Sequence, residues 1–139
     1  MKRNQAKFAI LSLSIALAAT IFGCGPRGGD LPKSPVSGSV TYQGKPLSFG
    51  RVLFYHSSGH TVGADIAADG TFALDVYQGE NGVSIECYDY QRPGSKTQRS
   101  RAGGDTSMIP ARYLSCGTSG LAITVEPDGK NDVVLELKD

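Results

Sequence analysis

Apolar and polar residues alternate along most of the chain that follows Pro35. Val36, Val40 and Tyr42, for example, are separated by serine, threonine and glycine. A period of two is typical of β-strands that place one face against a core. The pattern predicts seven strands, at residues 36–43, 51–55, 62–67, 71–76, 83–88, 121–126 and 132–138.

Turn-forming residues separate these runs. Asp69-Gly70, Asn81-Gly82 and Asp128-Gly129 can supply the positive φ angles that tight turns require. Turns are predicted at residues 43–46, 57–59, 68–70, 79–82 and 127–130, and no sustained helical period follows residue 35. We therefore expect an all-β fold, a seven-stranded antiparallel β-sandwich.

The opening of this region resembles a known family. Residues 36–47, with the pattern V-x-G-x-V followed by G-K-P-L, are similar to the start of a carboxypeptidase-regulatory-like domain. Residues 52–55 and the D-G-x-F pattern at residues 69–72 also match that family. The resemblance implies a transthyretin-like (prealbumin-like) sandwich over residues 36–139.

Two later segments resemble the bacterial lipoprotein branch of the same family. They are Ile-Pro-Ala-Arg-Tyr at residues 109–113 and Thr-Ser-Gly-Leu at residues 118–121. The chain departs from the family at Asn81-Gly82-Val83, where G-x-Y is common, and at Cys116. For this branch the resemblance implies envelope lipoproteins with no assigned reaction.

The amino terminus has the pattern of a secretory signal. Lys2, Arg3 and Lys7 precede an uncharged, mostly apolar run at residues 8–22, whose fifteen positions are followed by Gly23 and Cys24. That run is shorter than the roughly 20 residues of a spanning helix. A basic head, a short apolar middle and a small residue predict a signal peptide.

A cysteine directly after the small residue resembles the lipobox of bacterial lipoproteins. It predicts cleavage between Gly23 and Cys24 and acylation of Cys24 with chains such as palmitate, which would attach the protein to a membrane. An uncleaved membrane anchor and ordinary secretion with a free Cys24 are the alternatives. The predicted organisation is a lipoprotein signal peptide at residues 1–23, a flexible lipid-anchored linker at 24–35 and the sandwich domain at 36–139.

Cleavage would change the charge balance. The 139-residue precursor has a net charge of +1, and its signal holds three of the 14 basic residues and none of the 13 acidic ones, which leaves the mature chain near −2. A weakly acidic domain gives no reason to expect a nucleic-acid partner.

Candidate catalytic residues are few. His56 and His60 lie four residues apart around a predicted turn, with Asp65 the only nearby acid. A metal site needs three or four ligands, so we expect neither a metal nor another cofactor. No G-x-S-x-G motif is present, and the chain does not end in the Y-R-G-S motif of the hydroxyisourate hydrolases that share the transthyretin-like fold. We predict that the protein is not an enzyme.

Cys87 and Cys116 remain after Cys24 is assigned to lipidation. Outside the cytoplasm two thiols in one domain could form a disulfide, because Cys87 lies on an apolar strand face and Cys116 in a loop that could fold over it. The alternative is that Cys87 is a small buried apolar residue.

The one long irregular stretch, residues 91–107, is basic. It carries Arg92, Lys96, Arg99 and Arg101 against a single acid, Asp105. Long irregular loops in compact domains are usually either functional or disordered. This basic loop could contact an anionic partner such as lipid headgroups, an acidic polysaccharide or another envelope protein; the alternative is a solvated loop without a partner.

Together these observations predict a lipid-anchored, non-catalytic lipoprotein of the cell envelope, at the outer membrane or cell surface, with a structural or protein-interaction role. The alternative is a surface module that binds carbohydrate. The chain has no Trp, but tyrosines could form a small platform for sugars, namely Tyr55, Tyr77, Tyr88, Tyr90 and Tyr113.

Overall fold

A computed structural model of the protein describes residues 30–139, the side chain of residue 131 excepted. The chain is mostly β and forms two four-stranded sheets. The strands are β1 (Lys33–Tyr42), β2 (Lys45–Pro46), β3 (Arg51–His56), β4 (Thr61–Asp65), β5 (Thr71–Tyr77), β6 (Gly79–Glu86), β7 (Leu121–Val125) and β8 (Lys130–Leu137). Two 3₁₀ turns, Asp89–Gln91 and Ala111–Leu114, and one short helix, α1 (Cys116–Ser119), lie between β6 and β7.

Each predicted run of alternation coincides with one of these strands. The structure adds β2, a two-residue strand that the sequence pattern missed. β2 forms because Gln43 and Gly44 both have positive φ, 50° and 75°, and fold the chain into a tight turn that pairs Tyr42 with Lys45. The described residues thus contain eight strands, where seven were predicted.

The first sheet is built on β1. β5 and then β2 pair along one edge of β1, and β8 pairs along the other. The second sheet has the order β4-β3-β6-β7, with every pair antiparallel.

The prediction of a purely antiparallel fold is wrong for one pair, because β8 runs parallel to β1. β7 and β8 are consecutive but belong to different sheets. The turn between them therefore carries the chain across the sandwich, and hairpin geometry does not set the direction of β8.

The predicted turn at residues 79–82 is also wrong, since these residues lie in β6. β5 and β6 belong to different sheets, and the chain passes between them at Gln78. The Asn81 side chain, fully buried, donates hydrogen bonds from Nδ2 to the carbonyls of Tyr77 and Gly79, at 2.8 and 3.0 Å. Asn81 therefore stabilises the crossing from within the strand.

The core lies between the inner faces of the two sheets. Phe54 on β3 contacts Phe72 on β5, with ring centroids 5.8 Å apart, and both side chains are buried. Burial of each such side chain contributes about 1.5–3 kcal/mol. The inner faces otherwise carry valine, isoleucine and leucine, as the alternation predicts.

Residues 109–119 fill one side of the sandwich. Tyr113 is buried, and its hydroxyl accepts a 2.9 Å hydrogen bond from the backbone N–H of Lys138 while lying 3.1 Å from the Lys138 carbonyl. Ser119 donates from Oγ to the Val83 carbonyl at 2.5 Å. The segment thereby joins the end of β8 to the middle of β6.

The boundary between linker and domain differs from the prediction. β1 begins at Lys33, three residues inside the predicted linker, and Lys33 pairs with Tyr77 of β5. Proline has no backbone N–H to donate to a neighbouring strand. Pro35 is tolerated because residues 33–35 pair with β5 only and are an edge on their other side. Gly23 and Cys24 lie outside the described residues.

Candidate functional site

The sandwich has two distinct ends. At the first, which we call the entry end, β1 begins at Lys33 beside Tyr77. At the other, the loop end, β1 finishes at Tyr42, and the Cys87 thiol lies 3.5 Å from the Phe49 carbonyl. Leu47 donates its N–H to the Val40 carbonyl at 2.9 Å, so the segment from Leu47 to Phe49 lies beside the last residues of β1. At about 3.3 Å per residue, ten-residue β1 separates the two ends by about 30 Å.

The basic loop leaves and rejoins the domain at the loop end. Its two stems are held together where Tyr88 pairs with Ser107 and where Met108 donates its N–H to the Cys87 carbonyl at 2.7 Å. The loop is therefore anchored directly at the end of β6.

Arg92 already has an anionic partner within the domain. Its guanidinium lies 3.5 Å from the Asp89 carboxylate and 5.5 Å from the centre of the Phe49 ring. The sequence does not reveal this pair, because Asp89 lies just before the loop and outside the predicted basic stretch. Both side chains are partly exposed, so the ion pair adds less than about 1 kcal/mol to stability.

Lys96, Arg99 and Arg101 differ from Arg92. All three are exposed, and none forms an ion pair within residues 30–139. The predicted basic surface is therefore confined to these three side chains, which we call the rim cations.

Hydrogen bonds inside the loop give it a defined shape. Thr97 donates from Oγ1 to an Asp89 carboxylate oxygen at 2.6 Å, and the Ser100 N–H donates to Asp105 at 2.8 Å. Ser100 also donates from Oγ to the Gly103 carbonyl at 2.9 Å. Both carboxylates that face the loop are thus engaged by the protein itself.

The folded loop encloses a cleft of about 420 Å³. Its walls combine an aromatic ring, hydroxyls, an amide and a thioether, from Tyr90, Thr97, Gln98, Ser100, Thr106 and Met108, together with Asp89 and Asp105. Tyr90 stacks on Tyr88 with ring centroids 5.4 Å apart and ring planes within 10° of parallel. The aromatic wall of the cleft is therefore Tyr90, whose ring is held by its stack on Tyr88.

The charges around this pair act on Tyr88. Burial raises the pKa of its phenol, the negative charges of Glu86 and Asp105 raise it further, and the positive charge of Arg99 lowers it. The charges that raise the pKa of Tyr88 thus outnumber the single positive charge that lowers it.

The two cysteines are free and stand apart. Cys116 lies beside Gly82, since a Cβ placed on Gly82 would be 3.2 Å from the Cys116 Cβ. Cys87 is five residues further along the same strand direction, about 16 Å away, whereas a disulfide needs Cα atoms within about 7 Å. The bridge that the sequence allowed is not formed in this fold. Burial raises the pKa of the Cys87 thiol to about 11, so it is protonated at neutral pH.

The two histidines meet at the entry end. The Nδ1 atoms of His56 and His60 lie 2.6 and 2.9 Å from the Ser58 hydroxyl. Their rings lie 6.0 and 5.0 Å from the ring of Tyr77, and the Lys33 ammonium lies 4.6 Å from the same ring. Within residues 30–139 no three histidine, cysteine or acidic side chains come together as a metal site.

A larger open groove of about 610 Å³ lies on the outer face of the first sheet. Short side chains of β1 and β5 line it, and the 67% exposed Val134 of β8 borders it. Among residues 30–139, Phe72 is the only aromatic residue in its lining and its ring is buried against Phe54 in the core, so the cleft at the loop end is the better candidate site. Within residues 30–139 no helix has the length and apolarity needed to cross a bilayer.

Comparison with known proteins adds little to this geometry. The sequence matches no family model and no curated protein. Among solved structures it is similar to a DUF3823 family protein from Parabacteroides merdae, with 19% identity, a TM-score of 0.41 and coverage of 78% of this chain and 47% of that one. A DUF3823 family protein from Bacteroides ovatus has 17% identity, a TM-score of 0.37 and coverage of 76% and 44%. The chain thus spans less than half the length of either protein, and a similarity of this size carries no argument about function.

Proposed function

We propose that this protein is a lipid-anchored, non-catalytic lipoprotein of the cell envelope with a structural or protein-interaction role. The observation that carries the proposal is the basic head, short apolar run and Gly23-Cys24 pair at the amino terminus. Acyl chains on Cys24 supply the membrane affinity, since each buried methylene contributes about 0.8 kcal/mol and two or more chains anchor stably.

The position of β1 supports the same arrangement. Its first residue, Lys33, follows Cys24 by only nine residues, which span at most about 32 Å. In this proposal the entry end faces the bilayer and the loop end faces away from it. Lipid headgroups are then the least suitable of the partners considered for the basic loop.

A transthyretin-like topology is part of the proposal. The two four-stranded sheets are compatible with it. The V-x-G-x-V, G-K-P-L and D-G-x-F motifs resemble that family and fall on β1, on the β2 region and on the turn into β5. Such a fold carries many functions, so it does not by itself select one.

Replacement of Cys24 by serine tests the anchor. Cys24→Ser should abolish labelling by a palmitate analogue and leave an uncleaved precursor, because the acyl acceptor and the cleavage site are both lost. Cys116→Ser removes a thiol of the same chain and should leave labelling and cleavage unchanged. Continued labelling of Cys24→Ser, or loss of labelling in Cys116→Ser, would contradict the proposal.

A second candidate function is carbohydrate binding at the cell surface. The stacked Tyr88–Tyr90 pair beside a cleft lined by hydroxyl and amide groups favours it. Aromatic faces pack against sugar rings, and polar groups in a concave site fix their orientation. Tyr90→Ala should abolish binding on a glycan array, and Tyr77→Ala, an aromatic change at the entry end, should not.

A further inference from the structure

The lining of the cleft at the loop end selects among carbohydrates by its charge. We infer that the cleft binds a neutral glycan, with a sugar ring packed on Tyr90 and sugar hydroxyls donated to the Asp105 carboxylate, and that it excludes glycans that carry carboxylates or sulfates. This inference rests on the carbohydrate-binding function proposed above and adds the class of glycan and the residue that selects it.

The first argument is the sign of the charge in the lining. Within residues 30–139, Asp89 and Asp105 are the only charged residues that line the cleft, and the rim cations are not among them. The Asp89 carboxylate pairs with Arg92 at 3.5 Å, whereas Asp105 has no ion-pair partner in this part of the chain. The charge that a ligand meets in the cleft is therefore that of Asp105, which repels a carboxylate or sulfate.

The second argument is the hydrogen-bonding state of the Asp105 carboxylate. Its Oδ1 accepts the Ser100 N–H at 2.8 Å, which orients the side chain, and its Oδ2 has no hydrogen-bond partner among residues 30–139. Asp105 and Tyr90 line the same cleft, and both are half-buried. An ionised carboxylate accepts hydrogen bonds and donates none, so the second oxygen fits a sugar hydroxyl, and such charge-assisted bonds are about twice as strong as neutral ones.

The third argument is the combination of an aromatic ring with uncharged polar groups. Tyr90 is held by its stack on Tyr88, and an aromatic ring offers a face for the apolar side of a sugar. The lining also includes Gln98, whose amide makes no hydrogen bond within residues 30–139 and can both donate and accept. An ammonium ligand has donors only, whereas sugar hydroxyls can donate to Asp105 and accept from Gln98. The cleft volume of about 420 Å³ lies in the range of about 300–1,000 Å³ that is typical of small-molecule sites.

The experiment compares matched glycans on the intact lipidated protein, in a detergent without a sugar headgroup. The arrayed probes are neutral oligomers of glucose, galactose, mannose and N-acetylglucosamine, the same oligomers with their primary hydroxyls oxidised to carboxylates, and glucosamine oligomers that carry amines. We expect at least one neutral oligomer to bind at least tenfold more tightly than its oxidised counterpart. Its affinity should change less than twofold as salt rises from 50 to 300 mM, because a neutral ligand has no charge for salt to screen.

Two substitutions each remove one negative charge, inside and outside the cleft. Asp105→Asn should bring the affinities for the neutral and oxidised oligomers to within about threefold of each other, because the amide does not repel a carboxylate and can still accept the Ser100 N–H. Asp75→Asn, at an exposed position of β5, removes the same charge elsewhere and should retain the tenfold preference. Circular dichroism checks that both variants fold.

Each other outcome overturns the inference in a distinguishable way. Equal binding of neutral and oxidised oligomers, with loss in Tyr90→Ala, would retain carbohydrate binding at the cleft and reject selection by Asp105. Tighter binding of the glucosamine oligomers would make Asp105 a partner for cations and reject the neutral class. Loss of the preference in both Asp75→Asn and Asp105→Asn would reduce the effect to net charge. Binding to none of the probes, or binding that survives Tyr90→Ala, would reject the cleft as a glycan site together with the carbohydrate function, while leaving the lipid anchor of Cys24 untouched.

Discussion

The entry end and the loop end of the sandwich are built by different means. At the entry end the chain changes sheets twice, and buried polar side chains satisfy the backbone there, with Ser34 bonded to the Pro127 carbonyl and Asn81 to two carbonyls of the β5–β6 connection. At the loop end an exposed segment closes on itself through hydroxyl and carboxylate contacts around Asp89 and Asp105. The comparison teaches that the two ends satisfy the backbone differently, with buried polar side chains at the entry end and exposed ones in the loop.

The largest expected difference in stability is between alanine substitutions at two glycines with similar φ angles. Gly129 at the entry end has φ 85°, and a Cβ there would lie 2.3 Å from the Pro35 carbonyl oxygen, whereas Gly103 in the loop has φ 77° and open space around it. Gly129→Ala should lower the free energy of unfolding by about 3 kcal/mol or more, since backbone must move. Gly103→Ala should cost only the left-handed strain of about 1–2 kcal/mol. Urea unfolding measures both, and equal losses would contradict the contrast between the ends.

Substitution of Asn81 should have the next largest effect on stability. Asn81→Ala removes both hydrogen bonds to the carbonyls of the β5–β6 connection, which should lower the free energy of unfolding by about 2 kcal/mol. Gln98→Ala, an amide lost from the exposed cleft wall, should change it by less than about 0.5 kcal/mol. A small effect at Asn81 would show that the crossing is held by other contacts.

Tyr113 is one of the buried residues at the loop end. Tyr113→Phe removes the acceptor for the Lys138 N–H and should lower the free energy of unfolding by about 1–1.5 kcal/mol. Tyr42→Phe removes an exposed hydroxyl that donates to Asp139 at 2.6 Å and should cost less than about 0.5 kcal/mol. Thermal unfolding of the two variants measures whether the buried hydroxyl of Tyr113 contributes more to stability than the exposed hydroxyl of Tyr42.

The reactivities of the Cys87 and Cys116 thiols give a further comparison, which does not depend on a change in stability. At pH 8 iodoacetamide should label the half-buried Cys116 at least tenfold faster than Cys87, because Cys87 is inaccessible and burial raises the pKa of its thiol to about 11. Both should react equally after unfolding. A linked Cys87–Cys116 peptide in a non-reducing digest would contradict the distance between Cys87, just after β6, and Cys116, which lies beside Gly82.

The sequence pattern predicted the strands because alternation reports which face each residue buries, and Val52, Phe54 and Phe72 are buried as it requires. It failed at residues 79–82, where asparagine and glycine suggest a turn but the Asn81 side chain stabilises a strand that begins at a change of sheet. It could not set the direction of β8, which depends on a crossing between sheets and not on local residues.

The candidate site was predictable only in part. The basic residues of the loop and the tyrosines of the platform are visible in the sequence, yet their arrangement depends on contacts across the loop. Arg92 forms an ion pair because the fold places Asp89 beside it. The rings of Tyr88 and Tyr90 stack because the 3₁₀ turn at Asp89–Gln91 brings them together. No periodic pattern encodes either contact.

The height of the two ends above a bilayer tests the central claim most directly. The lipidated protein, carrying Cys116→Ser and a fluorophore on either Ser57→Cys at the entry end or Ala102→Cys in the loop, would be reconstituted in liposomes whose headgroups bear an energy acceptor. We expect strong transfer from position 57 and a distance on the order of 30 Å greater from position 102, as the length of β1 requires. Equal transfer from both positions, or protein that does not remain on the liposomes, would contradict the account.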